Sequence, residues 1–240
     1  FIRELRAGAP PDMFSFLGQN WDFPIYNWDE MKRREYRWWK ERLQQAEKFY
    51  HAFRIDHVLG FFRIWAIPET HFSGLPGFFY PSESISREEL HEVGLDRGRI
   101  RWLSEPHLER FRIEELLGEH GSAELLEKLF TRIGEEDLFL FSDGITGERA
   151  ITELAFQYSL PEEATASLLT EYRNRALIPT VDGGYAPTWN FRDCDRFHTL
   201  SEEERDAFET LVAWKQERSE ELWERQGMEL LSMMREHVRM

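Results

Sequence analysis

Three side chains in residues 53–60 could do chemistry together: Arg54, Asp56 and the adjacent His57. Arg54 and Asp56 are two residues apart, so on a β-strand both would point to the same face. A neighbouring guanidinium favours the ionised form of a carboxylate and can hydrogen-bond it with its fork of N–H groups. Asp56 is therefore a candidate nucleophile. The alternative for an isolated Arg-x-Asp pair is a structural ion pair at the end of a strand.

The elements around this run predict a parallel α/β arrangement. We expect a strand at residues 53–59, with Phe53 and Ile55 turned away from the charged side chains. A strand covered by helices on its outer face, with charges turned inward, is typical of a (β/α)8 barrel near its C-terminal mouth. Upstream, Asn27 and Glu30 have the spacing of a capping box and predict a helix that runs to about residue 52. A short strand at residues 23–26 precedes that helix, which gives the order strand, helix, strand.

The middle of the chain predicts a different organisation, with helices that do not alternate regularly with strands. Ser86 and Glu89 form another capping-box pattern, and further helices are expected at about 105–117, 122–132, 147–158 and 162–175. A short strand is expected at residues 138–141 and extended structure at 177–192. After a third capping box at Ser201 and Glu204, we expect two helices and an interruption at Gly227.

The predicted fold class is therefore α/β: a partial TIM (β/α)8 barrel with a large, mostly helical insertion. We assign residues 1–85 to barrel strands and an active-site loop, and residues 86–192 to a helical insertion subdomain. Residues 193–240 would be helices that return to the barrel.

Composition narrows the classes of partner. The 240 residues carry a formal net charge of −15, which repels phosphate backbones and anionic lipids and argues against nucleic-acid or membrane partners. No apolar run approaches the roughly 20 residues that span a bilayer, and the first residues are too polar for a signal peptide. The single cysteine, Cys194, points to a cytoplasmic protein. Aromatic residues make up 15% of the chain, with nine tryptophans, which favours a carbohydrate ligand.

Motifs for metals and cofactors are absent from the sequence. His51 and His57 are six residues apart, and no pair of histidines has H-x-x-x-H spacing. Neither a phosphate-binding glycine loop nor a G-x-S-x-G nucleophile motif occurs. Cys194 and His198 are four residues apart, which by itself is a weak indication of a catalytic pair. We expect neither a metal nor a cofactor.

Residues 7–28 form an irregular stretch that combines a proline pair with the aromatic residues Phe14, Phe16 and Trp21. Such a loop either folds over a binding site or is pinned to the core by its aromatic side chains, and composition leaves both interpretations open.

Three blocks in this order resemble the amylomaltases, which are the 4-α-glucanotransferases or disproportionating enzymes. The blocks are Ala9-Pro10-Pro11-Asp12-x-Phe14-Ser15, Gly18-Gln19-x-Trp21-x-x-Pro24-x-Tyr26-x-Trp28 and Phe53-Arg54-Ile55-Asp56-His57. The helical insertion and the segment Trp189-Asn190-Phe191-Arg192-Asp193 resemble the longer, maltose-handling members more loosely.

The resemblance implies a retaining glucanotransferase without a cofactor, with a maltooligosaccharide or α-glucan as substrate. Asp56 would attack the anomeric carbon and form a covalent glycosyl-enzyme, and Arg54 would orient it. His57 would hydrogen-bond the sugar whose bond is broken. Gln19 and Trp21 would line the acceptor subsites, and Asp12 and Phe14 would lie on the family's mobile loop.

One departure from the family pattern limits this interpretation. The E-D-L-G block that carries the general acid and the later T-H-D block do not occur in these 240 residues. We therefore expect this segment alone to be inactive and to need the remainder of the parent barrel. Two alternatives remain: an α-amylase-type hydrolase, and a non-catalytic helical binding domain in which Phe14 and Trp21 are buried core residues.

Overall fold

The largest β-sheet has four antiparallel strands in the computed structural model, which describes residues 1–237. Its strands are β1 (Ile2–Ala9), β2 (Gln19–Ile25), β3 (Ile64–Pro68) and β4 (Phe78–Tyr80), in the spatial order β2-β1-β3-β4. Leu5 and Ala7 of β1 are buried. Gly8 lets β1 and β2 approach closely, because a Cβ there would fall 2.1 Å from the carbonyl oxygen of Gln19. The short strand predicted at 23–26 lies within and just beyond β2.

Two helices, not one, follow the second strand. Asn27 caps α1 (Trp28–Arg33) as predicted, because its side chain accepts a hydrogen bond from the N–H of Glu30. The expected continuation to residue 52 is wrong: Glu35 and Tyr36 have φ angles of 54° and 53°, and α2 (Arg37–Glu47) starts after them. The Tyr36 hydroxyl donates to Glu229, 2.8 Å away. The buried side chain of Tyr36, held by a distant residue, thus keeps the two helices separate. The local helical periodicity does not indicate this break.

Residues 53–57 do not form the predicted strand. They are irregular, and a short 3₁₀ turn follows at Val58–Phe61. A strand is stable only when its backbone groups pair with a neighbour, and no strand among residues 1–237 pairs with this segment. The alternation of Phe53 and Ile55 with charged residues is therefore not sufficient to form a strand in this chain.

Residues 87–198 contain seven α-helices and five short strands. The helices are α3 (Arg87–Glu92), α4 (Arg97–Ser104), α5 (Arg110–Leu117), α6 (Ala123–Leu129), α7 (Glu148–Gln157), α8 (Glu162–Arg173) and α9 (Asp195–His198). The strands are β5 (His107–Glu109), β6 (Phe130–Arg132), β7 (Leu138–Phe141), β8 (Leu177–Pro179) and β9 (Tyr185–Pro187). The Ser86 capping box and the strand at 138–141 are confirmed. The helix predicted to start at 105 is wrong at its beginning, because residues 107–109 pair with β7.

One continuous helix, α10 (Glu202–His237), replaces the two helices expected near the C-terminus. It begins with the predicted capping box, in which Ser201 and Glu204 exchange hydrogen bonds of 2.8 and 3.1 Å. Gly227 does not interrupt it. A Cβ at Gly227 would fall 2.2 Å from the ring of Phe62, so this glycine makes room for an aromatic ring. Residues 238–240, the end of the predicted third segment, lie outside the described residues.

The fold is therefore mixed α/β, as predicted at the level of class. The three sheets, of four, three and two strands, are antiparallel throughout residues 1–237, and no closed parallel barrel is formed there. Ile178 and Ala186 of the β8-β9 hairpin pack into the core beneath the four-stranded sheet. No helix in the described part of the chain is long and apolar enough to cross a membrane.

Candidate active site

Arg54 and Asp56 form an ion pair on the surface. The Arg54 Nη2 donates to the Asp56 Oδ1 over 3.0 Å, and the two side chains are 83% and 86% exposed. The irregular backbone brings them together without the strand geometry that the sequence suggested. An exposed ion pair contributes little to stability, so a stabilising role alone does not explain why Arg54 and Asp56 are paired.

A cavity of about 250 Å³ lies beside Asp56 and His57. Aromatic rings form much of its wall: Tyr26, Trp28, Trp39 and Phe61. Asp56 is the one carboxylate among the described residues that line it. Aromatic side chains can stack on the apolar C–H faces of a ring-shaped ligand. A single carboxylate beside them could react with a carbon atom of that ligand.

His57 connects this cavity with the strand that carries Gln19 and Trp21. The rings of Trp21 and His57 meet edge to face, with centroids 5.7 Å apart. The indole N–H of Trp21 donates to the Gln19 Oε1 over 3.1 Å. Four of the predicted site residues therefore lie together. Trp21 contacts both Gln19 and His57, and Asp56 is next to His57 in the chain and lines the same cavity.

The backbone at His57 has an unusual conformation. Its φ is 51°, in the left-handed region that costs a non-glycine residue energy. The carbonyl of His57 accepts from the N–H of Gly60 over 2.9 Å, and a Cβ at Gly60 would lie 3.1 Å from the His57 Nδ1. The turn that follows thus places the His57 ring directly over a glycine.

Asp12 and Phe14 lie on the loop between β1 and β2. The Asp12 Oδ1 accepts from the backbone N–H groups of Phe14 and Ser15, at 2.8 and 2.7 Å, which gives the loop a defined turn. Phe14 is 88% exposed, so it is not pinned to the core. These contacts of Asp12 are local to the loop and do not include Asp56 or His57.

Exposure of the predicted aromatic residues contradicts one alternative. If the domain were non-catalytic and its aromatic side chains only structural, Phe14 and Trp21 would be buried. They are 88% and 37% exposed. Exposed aromatic side chains on a loop and an adjacent strand favour a binding surface.

Trp39 is a cavity residue that the sequence did not indicate. Trp39 lines the cavity, and its buried indole Nε1 has no hydrogen-bond partner among residues 1–237. Only the tertiary contact with Tyr26 and Phe61 places Trp39 at this cavity.

Metal-binding geometry is not found in the described residues. No group of three or more His, Cys, Asp or Glu side chains within residues 1–237 is arranged to hold a metal ion. Cys194 is buried, and burial raises the pKa of its thiol, which disfavours a reactive thiolate.

Comparison with known proteins identifies similar sequences. The family of 4-alpha-glucanotransferases matches residues 1–239. The 4-alpha-glucanotransferase DPE2 of Oryza sativa subsp. japonica is 33% identical over 245 residues, which cover 98% of this chain and 25% of that protein. The 4-alpha-glucanotransferase of Chlamydia pneumoniae is 53% identical over 65 residues, or 27% of this chain and 12% of that protein.

A solved structure also shares local sequence. The amylomaltase from Streptococcus agalactiae in complex with acarbose has 39% identity to the matched part, which covers 34% of this chain and 17% of that one, with a TM-score of 0.32. The chain thus spans a quarter of the length of the rice relative and a smaller part of the other two.

Proposed function

The chain belongs to the 4-alpha-glucanotransferase family, and on that premise we propose that it carries the nucleophile of a retaining 4-α-glucanotransferase. The observation that carries the proposal is the position of Asp56: an arginine-paired carboxylate on the rim of an aromatic cavity, beside a histidine that contacts Trp21. The substrate is an α-1,4-glucan, and the products are glucans of altered length.

The first step of the proposed reaction forms a bond between Asp56 and the sugar. A carboxylate oxygen of Asp56 attacks the anomeric carbon, and the bond from that carbon to the glycosidic oxygen breaks. The leaving oxygen takes a proton from a general acid, and a covalent glycosyl ester remains. Arg54 orients Asp56, since its Nη2 donates a hydrogen bond to the Asp56 Oδ1 over 3.0 Å.

The second step returns the glucosyl or maltosyl unit to another glucan. An acceptor hydroxyl attacks the anomeric carbon, gives its proton to the same acid–base group, and releases Asp56 as a carboxylate. Two inversions at one carbon retain the configuration. His57 hydrogen-bonds the sugar at the cleavage point, and Gln19 and Trp21 bind the acceptor.

Transfer prevails over hydrolysis where water is kept from the glycosyl ester. The loop that carries Asp12 and Phe14 presents exposed aromatic side chains between the two strands. We infer that this loop covers the bound acceptor and that its apolar surface excludes water from the intermediate.

The general acid comes from another part of the complete protein. A retaining enzyme needs a second carboxyl group about 5–5.5 Å from the nucleophile, whereas Asp56 is the one described carboxylate that lines the cavity. General acid catalysis contributes roughly 10²–10⁴-fold to the rate. We therefore propose that the 240 residues alone do not turn over maltodextrin.

The finer fold assignment is also a proposal. In the complete protein, residues 53–57 would gain a neighbouring strand and form part of a (β/α)8 barrel, in a cytoplasmic enzyme. The division at residues 85 and 192 into barrel, helical insertion and returning helices belongs to the same proposal.

The test is the variant Asp56→Asn in a protein that carries this chain at the length of its curated relatives. We expect glucose release from maltotriose to fall to background. Asp137→Asn is a matched control, since Asp137 is also exposed and paired with an arginine, Arg110, 2.7 Å away. Undiminished release by Asp56→Asn would contradict the assignment. Oligosaccharides longer than the donor distinguish transfer from an α-amylase-type hydrolysis in the same assay.

A further inference from the structure

Glu148, the first residue of α7, is a fully buried carboxylate that binds a loop from a different part of the chain. Its Oε2 accepts from the backbone N–H groups of Phe72 and Ser73, at 2.9 and 2.8 Å. Its Oε1 accepts from the Ser73 hydroxyl at 2.6 Å and from the Arg173 guanidinium. A buried charge is stable only where such donors replace its water. The predicted helical insertion therefore holds the loop that follows β3.

That loop, in turn, contacts the strand that carries the proposed acceptor residues. The backbone oxygen of His71 accepts from the Asn20 side chain over 2.9 Å. Gly74 lies against the backbone of β2, because a Cβ at this position would fall 2.6 Å from the backbone nitrogen of Gln19. The loop at residues 69–74 is thus in contact with Glu148 on one side and with β2 on the other.

Asn20 fixes the backbone on both sides of Trp21. Its amide Nδ2 donates to His71, and its Oδ1 accepts from the N–H of Asp22 over 2.8 Å. Asp22 has a φ of 58°, so the strand is locally distorted where Trp21 projects. The ring of Trp21 then meets His57. A continuous series of hydrogen bonds and contacts leads from Glu148 to the rings beside the cavity.

We propose that Glu148 is a positioning residue for acceptor binding: by holding residues 72 and 73 it keeps Asn20, and with it Trp21, in place. The inference rests on the proposed function, in which Gln19 and Trp21 bind the acceptor. Each anionic oxygen of Glu148 accepts from two donors, so glutamine at this position would place an NH₂ group against two of the four. The loop would then shift, and β2 with it.

Steady-state kinetics on the full-length protein test this role. The variants are Glu148→Gln, Asn20→Ala and the double variant. The control is Leu168→Ala, which opens the core of the same helical region and removes no hydrogen bond of the loop. We expect Glu148→Gln to raise the acceptor KM roughly tenfold, the effect of about one charged hydrogen bond. The rate of leaving-group release from a nitrophenyl maltooligoside, which reports the first step, should change less than twofold.

The double variant tests the proposed connection. If Glu148 acts through Asn20, the two effects on acceptor KM are not multiplicative. Multiplicative effects, or an acceptor KM in Glu148→Gln that equals that of Leu168→Ala, would overturn the proposal. If Glu148→Gln does not fold, Ser73→Ala removes one donor from the same carboxylate and is measured instead.

Hydrogen exchange separates this proposal from the proposed function. Glu148→Gln should speed amide exchange in residues 18–22 and 69–74 relative to Leu168→Ala, whether or not the protein is a transferase. Unchanged exchange overturns the positioning role and leaves the transferase assignment intact. Undiminished activity in Asp56→Asn overturns the transferase assignment alone.

Discussion

The ring of Trp21 meets the ring of His57 edge to face, at 5.7 Å between centroids and an interplanar angle of 84°. Trp21 lies on β2 and His57 follows the irregular segment that carries Asp56, so this contact joins two segments that are separate in sequence. One side chain of the pair is proposed to bind the acceptor, and the other the sugar at the cleavage point. The contact therefore joins the proposed acceptor site to the proposed site of bond cleavage.

Replacing Trp21 should separate stacking from hydrogen bonding. Trp21→Phe keeps a ring against His57 but removes the N–H that binds Gln19, whereas Trp21→Ala removes both. An edge-to-face pair contributes about 0.5–1.5 kcal/mol. We expect Trp21→Ala to raise acceptor KM by about tenfold, and Trp21→Phe by less, in assays of maltotriose disproportionation. Trp214→Ala, at an exposed position on α10, is the control and should leave KM unchanged. Equal effects of the two Trp21 variants would contradict a role for the ring.

Gly60→Ala should disturb His57 without opening the core. The added Cβ would lie 3.1 Å from the His57 Nδ1, so the imidazole must move by a few tenths of an ångström. We expect a loss of transferase activity with a change in the free energy of unfolding below about 1 kcal/mol. Gly144→Ala is the matched control, because nothing lies within 4 Å of a Cβ at that position. Full activity in Gly60→Ala would show that the position of His57 is not critical.

Gly227→Ala should destabilise the protein although alanine favours helices. Alanine gains about 1 kcal/mol over glycine inside a helix, but its Cβ would fall 2.2 Å from the ring of Phe62. Such overpacking costs about 1–3 kcal/mol, so we expect a net loss of stability in urea denaturation. The double variant Gly227→Ala/Phe62→Leu should recover part of that loss. A more stable Gly227→Ala would mean that the ring can move aside at little cost.

Glu148 should make stability depend on pH in the acid range. Burial raises its pKa, but the neighbouring His71, the charge of Arg173 and the hydrogen bonds from Ser73 together hold it well below its ordinary value of 4.5. A carboxyl with a depressed pKa in the folded state stabilises the protein above pH 4.5, and this contribution is lost as the pH falls below it.

Unfolding curves of the wild type and of Glu148→Gln between pH 7 and pH 3 test this. At pH 7 we expect the variant to be less stable by roughly 3–5 kcal/mol, because Arg173 loses its charged partner in a buried site. The difference should shrink as the pH falls below 4.5. Burial lowers the pKa of His71 while the neighbouring Glu148 raises it, so acid destabilises the fold through this residue more in the variant, which opposes the shrinkage of the difference. A difference independent of pH would contradict ionisation of Glu148 in the folded protein.

Features that depend on residues three or four apart were predictable from the sequence. Asn27, Ser86 and Ser201 cap their helices as expected, because each side chain bonds a backbone N–H three residues ahead. The three sequence blocks were sufficient to indicate the family, and the pairing of Arg54 with Asp56 follows from their proximity in the chain.

Features that depend on partners far away in the chain were not predictable from the sequence. Residues 53–57 have the composition of a strand, but a strand forms only where another strand supplies hydrogen bonds, and the described chain offers none. Tyr36 breaks a helix because Glu229 binds its hydroxyl, and Gly227 lies within a helix because Phe62 needs its space. The contact of Ser73 with Glu148 joins residues 75 positions apart. The sequence alone therefore determined the local caps, the family and the candidate nucleophile. Tertiary structure decided which side chains meet Asp56 and His57, because burial and pairing depend on residues far away in the chain.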